Sequence, residues 1–173
     1  MKTSTDATSP ALPTASGTSR VAQEGITAGI IGAAIVALWF LLLDSINGRP
    51  FYTPTILGTA LFRGGQGVVA PEIPAISGEM VLMYTWVHGL AFCVIGGVAS
   101  WLLAVSEKNP HIGFGIVLLF VILEFGFLLA ASVLAQAVLG ALAWQAVLLG
   151  NLWAAVCMAA YLWYRHPSLQ IRP

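Results

Sequence analysis

A chain of 173 residues that is 58% hydrophobic and only 8% charged, with a formal net charge of zero, lies far from the balance of a water-soluble globular protein. So few charges would leave a soluble fold without a polar coat. With no basic excess the chain also lacks an electrostatic handle on nucleic acid, so composition assigns an integral membrane protein with the lipid bilayer as its first partner.

The first 22 residues are rich in Ser, Thr, Ala and Pro and hold no apolar core of their own. They are expected to form a disordered tail. The apolar run that follows lacks a small-residue cleavage site and is closed by Asp44, which reads as an uncleaved anchor in place of a removable signal.

Four apolar runs follow, over 25–43, 80–105, 112–135 and 141–164, and Glu124 is the only Asp, Glu, Lys or Arg within them. Each exceeds or approaches the ~20 residues that cross a hydrocarbon core at about 1.5 Å per residue. The links at 106–111 and 136–140 are short, so sequential runs should be antiparallel neighbours. The expected fold is all-α: an antiparallel up-down bundle of four transmembrane helices spanning 23–166, with a short tail at 167–173.

Orientation follows from the basic residues. With four crossings, Lys2, Arg20, Lys108, Arg165 and Arg172 fall on one side and Arg49 and Arg63 on the other. The positive-inside rule then places both termini in the cytoplasm and residues 45–79 in an outer loop. Trp101, Trp163 and Tyr164 suit the cytoplasmic interface, and Tyr84 and Trp86 suit the outer one.

Within that loop Thr53 and Pro54 resemble a helix start, Thr as N-cap and Pro behind it, and the apolar stretch 55–62 is too short to span. An interfacial helix anchored by Phe51, Tyr52 and Phe62 is expected. Arg63, followed by Gly64, Gly65 and Gly67, is a candidate contact for a lipid phosphate or other anion. The competing reading is a helix stop with a snorkelling cation.

Small residues mark the faces where helices approach in lipid. Gly25, Gly29, Gly32 and Ala33 do so on the first run, Gly89, Gly96 and Ala99 on the second, and Gly150 and Ala154 on the fourth. Cys93 and Cys157 each stand alone within a run and read as packing residues.

Ionisable groups inside hydrocarbon are costly, so His88 and Glu124 are the first place to look for function. With alternating crossings His88, Glu124 and Asn151 fall within about 5 Å of one depth. This candidate polar layer has two readings. It ties neighbouring helices together by hydrogen bonds, each contributing about 0.5–2 kcal/mol, or it serves as a proton path, carrier or redox contact. A lone carboxyl in hydrocarbon would stay protonated, whereas a neighbouring imidazole would take its proton.

No catalytic residue is assigned. A bis-histidine haem needs a second intramembrane His, and His111 and His166 lie at a boundary. No His-Glu-x-x-His, clustered Cys or paired intramembrane Asp appears, so no metal or cofactor is expected.

The segments at 37–54 (ALWFLLLDSINGRPFYTP), 85–88 (TWVH), 150–153 (GNLW) and 161–167 (YLWYRHP) resemble small uncharacterised bacterial four-helix inner-membrane proteins. The resemblance implies a fold and a compartment, the bacterial inner membrane, and carries no activity. The expectation is a non-catalytic structural or accessory subunit of a larger membrane complex, or of a homo-oligomer. The alternative is a small carrier, proton pathway or redox component built on the His88/Glu124 layer.

Overall fold

The computed structural model describes residues 15–64, 75–108 and 144–166. Among them stand four helices: α1 (Ala15–Ile46), α2 (Tyr52–Phe62), α3 (Gly78–Lys108) and α4 (Trp144–Arg165), with no strand among the described residues. Three of these, α1, α3 and α4, are long and apolar enough to cross a membrane. They correspond to the first, second and fourth apolar runs. The third run, with Glu124, lies outside the described residues, as do 65–74, the start of the fourth run and the tail from 167.

α1 begins at Ala15, which corrects the expectation of a tail reaching residue 22. Residues 20–24 are tied to neighbours: Arg20 reaches Glu24 one turn on, and the Val21 carbonyl accepts the Ser100 hydroxyl at 2.9 Å. Arg20, Ala22, Gln23 and Glu24 are good helix formers, so the helix runs through them at little cost.

The other end of α1 stops by backbone chemistry. Gly48 sits at φ +69°, and Asn47, Gly48 and Arg49 N–H groups donate back to carbonyls of the last turn. This is the left-handed closure that glycine accepts without a Cβ clash.

α2 starts at Tyr52 with Phe51 as the residue before it, in a left-handed conformation at φ 66° and without a side-chain cap of its own. Thr53 is therefore not the N-cap. Its N–H and hydroxyl both donate to the Asp44 carboxylate, each at 2.7 Å. The acceptor expected on Thr53 comes instead from the end of α1, and the helix begins two residues earlier than the local pattern implies.

α1 is the central element, packed against α3 and α4, while α2 lies mainly on α3. Along the α1–α3 seam Val21 faces Ser100, Gly25 faces Gly96 and Gly97, Gly29 faces Phe92 and Cys93, and Ala33 faces His88. Along α1–α4 Glu24 meets Arg165, Gly32 meets Met158 and Trp39 meets Gly150. The residue order is reversed on both seams, so α3 and α4 each run opposite to α1.

Glycine makes the first seam possible. A Cβ on Gly25, Gly29 or Gly96 would strike backbone of the facing helix, whereas one on Gly89 would meet nothing within 4 Å. Gly89 thus differs from its expected role on the packing face. Where the three helices converge, Ala28, Met158 and Leu162 form a buried cluster backed by Phe92, Ala99, Leu103 and Tyr161.

Candidate functional site

Glu24 is almost wholly buried, at 2% exposure, one turn before the core residue Ala28 on the same face of α1. An ionised carboxylate in such a place needs hydrogen-bond donors on both oxygens. It has them. Oε1 accepts from Arg20 Nε at 3.0 Å and from Arg165 Nη2 at 3.1 Å, and Oε2 lies 2.9 Å from His166 Nε2.

The other ring nitrogen of His166, Nδ1, lies 2.7 Å from Glu107 Oε1. A neutral imidazole carries one N–H, so only the imidazolium donates to both carboxylates at once. One histidine just past α4 therefore joins α1 through Glu24 and α3 through Glu107. Charge-assisted bonds of this kind are roughly twice as strong as neutral ones.

These groups line a cavity of about 340 Å³, walled by Arg20, Val21, Glu24, Ala104, Glu107, Arg165 and His166. The Arg20 and Arg165 side chains are 64% and 45% exposed, so each guanidinium is held at one N–H and open elsewhere. Among the described residues no three His, Cys, Asp or Glu side chains are placed to hold a metal ion.

At the far end of α1 the second buried carboxylate, Asp44, at 6% exposure, closes the α1–α2 corner through Thr53. Arg49 stacks its guanidinium over the Tyr52 ring at 5.7 Å. Arg63, the sequence candidate for an anion contact, reaches Glu79 at 3.3 Å across an exposed surface. Gly64 beside it has φ +61°, a helix-ending conformation.

His88 lies between Tyr84 and Phe92, its ring centroid 5.6 Å and 4.8 Å from theirs, with Nε2 3.2 Å from the Ala33 carbonyl. It borders an apolar cleft of about 170 Å³ between α1, α2 and α3. Asn151 is half-buried on α4. Among the described residues no hydrogen bond joins His88 to Asn151, and Glu124 is outside them. Cys93 and Cys157 are free and half-buried.

The end cluster was not singled out by the sequence reading, although signals existed. Glu24 directly precedes an apolar run and stands one turn from Arg20, and Arg165-His166 closes the last run. In an alternating topology both flanks fall at the same end. Comparison with known protein families, with curated proteins and with solved structures finds no match to this chain.

Proposed function

We propose that this chain is a multi-pass protein of a bacterial inner membrane, an antiparallel up-down bundle of four transmembrane helices that acts as a non-catalytic structural or accessory subunit of a larger membrane complex. The observation that carries the membrane placement is the spacing of the two buried carboxylates on α1. Glu24 and Asp44 are twenty residues apart with no charged residue between them, a rise of about 30 Å, the thickness of a hydrocarbon core. Each has its own polar partners at its own end.

Large apolar side chains between those ends point outward. Leu38, Trp86, Val94 and Leu152 are each more than half exposed, which suits lipid and would be costly in water. The direction of α3 and α4 supports a fourth crossing: α3 ends beside the end of α4, through Glu107 and His166, both helices run opposite to α1, and the sequence between them holds the apolar run 112–135. Arg20 and Arg165 at the Glu24 end support a cytoplasmic side for that end.

The non-catalytic reading is favoured by the way the polar groups are used. Glu24, Glu107, Arg165 and His166 at one end of α1, and Asp44 and Thr53 at the other, use hydrogen bonds to join one helix to another, and His88 makes one to the α1 backbone. The test is purification of the tagged full chain from native membranes in mild detergent, with Glu124→Gln and His88→Ala in parallel. A stoichiometric membrane partner that survives both substitutions supports the subunit reading. Normal accumulation of both variants with loss of a measured ion flux or electron transfer sinks it.

A further inference from the structure

We propose that the cavity at the Glu24 end is a binding site for a phosphodiester, the headgroup phosphate of an anionic membrane lipid, held by Arg20 and Arg165. The inference rests on the membrane reading above and adds a ligand to it. Charge is the first argument. Arg20 and Arg165 bring two fixed positive charges to the cavity wall, and their side chains are 64% and 45% exposed there, whereas the Glu24 side chain that faces them is 3% exposed. The accessible charge nearest Glu24 is therefore cationic, and a phosphodiester carries one negative charge.

Donor geometry is the second. Glu24 takes a single nitrogen from each arginine, and a guanidinium has five N–H groups in a planar fork suited to phosphate oxygens. Both side chains line the cavity and are partly exposed. Glu24 has both oxygens engaged, so it presents little unpaired charge to an incoming anion. Glu107 holds His166 through one oxygen, which leaves the other to accept a headgroup hydroxyl, as a glycerol headgroup offers.

Size and place agree. About 340 Å³ lies at the lower end of the roughly 300–1,000 Å³ usual for small-molecule sites. The cavity also lies at the charged end of the ~30 Å apolar stretch, the depth of lipid phosphates and the side where anionic headgroups attract basic groups. At the opposite end the described arginines are Arg63, paired with Glu79 on an open surface, and Arg49, stacked over the Tyr52 ring.

The experiment uses the purified full chain in mild detergent. Retained and added phosphatidylglycerol is measured by native mass spectrometry and by thermal shift, against phosphatidylcholine and against inorganic phosphate. The expected result is a clear preference for phosphatidylglycerol, weakened about tenfold by Arg20→Gln with Arg165→Gln and left unchanged by Arg63→Gln. Arg20→Gln alone, which leaves Arg165 and His166 on Glu24, covers the case in which the double variant fails to fold, and Arg20→Lys is expected to restore part of the binding. Competition by inorganic phosphate at comparable concentration would assign the site to the free anion, with the phosphate chemistry upheld. Equal binding of the two lipids, or binding of phosphatidylglycerol untouched by Arg20→Gln, overturns the site. Carbonate extraction of cell membranes separates the two readings: a chain that stays in the bilayer without lipid preference loses only the site, and a chain released by carbonate loses the membrane reading as well.

Discussion

Glu24 is the residue on which most other side chains at its end depend. Glu24→Gln removes the buried charge on which Arg20, Arg165 and His166 converge, and because both arginines are largely exposed the cost is that of charge-assisted hydrogen bonds, about 1.5–3 kcal/mol. The expected outcome is a large fall in melting temperature in detergent. Glu107→Gln, whose partner geometry is similar but whose side chain is 34% exposed, should cost no more than about 1 kcal/mol. Equal losses for the two variants would contradict the central place given to Glu24. At the other end Asp44→Ala removes both acceptors of Thr53 and should lower stability by about 1–2 kcal/mol, the range of a lost helix cap. Thr53→Val keeps the N–H bond and should lose less. Sequence reached Asp44 only as a boundary marker, because its partner lies across a turn whose left-handed residue, Phe51, gives no compositional signal. Glu24 escaped notice for a plainer reason: it lies outside the apolar runs, and its partners Arg165 and His166 lie far along the chain.

At the level of elements, hydropathy runs made α1, α3 and α4 legible, since a membrane span is a local property of twenty or so residues. Which faces meet is less local. Gly25, Gly29 and Gly96 were readable as close-approach positions and sit on the α1–α3 seam, whereas Gly89 carried the same signal and faces open space. The difference is a matter of phase: a helix with several small residues offers more than one face, and only the partner selects among them. Gly29→Ala and Gly96→Ala are each expected to force the helices apart and reduce the folded fraction, by an amount typical of core overpacking, about 1–3 kcal/mol. Gly97→Ala, whose added Cβ meets nothing within 4 Å, should be neutral or slightly stabilising through helix propensity. Chemical denaturation in mixed micelles distinguishes them, and a loss at Gly97 equal to that at Gly29 would refute the assigned seam. The extent of α2 was misjudged at its start because its cap is supplied by α1.

For the whole molecule, polar clasps stand at two levels of the bundle, with outward-facing apolar side chains between them. The clasp at one end gathers α1, α3 and α4 through Glu24, Glu107, Arg165 and His166, and the one at the other joins α1 to α2 through Asp44 and Thr53. His88 adds a single bond from α3 to the α1 backbone between these levels. His88→Phe, which keeps a ring against Tyr84 and Phe92, is therefore expected to lower stability by only about 0.5–2 kcal/mol and to leave membrane accumulation intact. The most direct test of the central claim is a nitroxide accessibility scan of α1 in lipid bilayers at outward positions Ile26, Ile30, Leu38, Leu42 and Ile46, with Arg20 as the aqueous reference. The account predicts that Ile30 and Leu38 are open to oxygen and closed to a water-soluble relaxation agent, with the agent gaining access at Arg20 and beyond Asp44 at Ile46. Water-soluble access at Ile30 and Leu38 equal to that at Arg20 would contradict it.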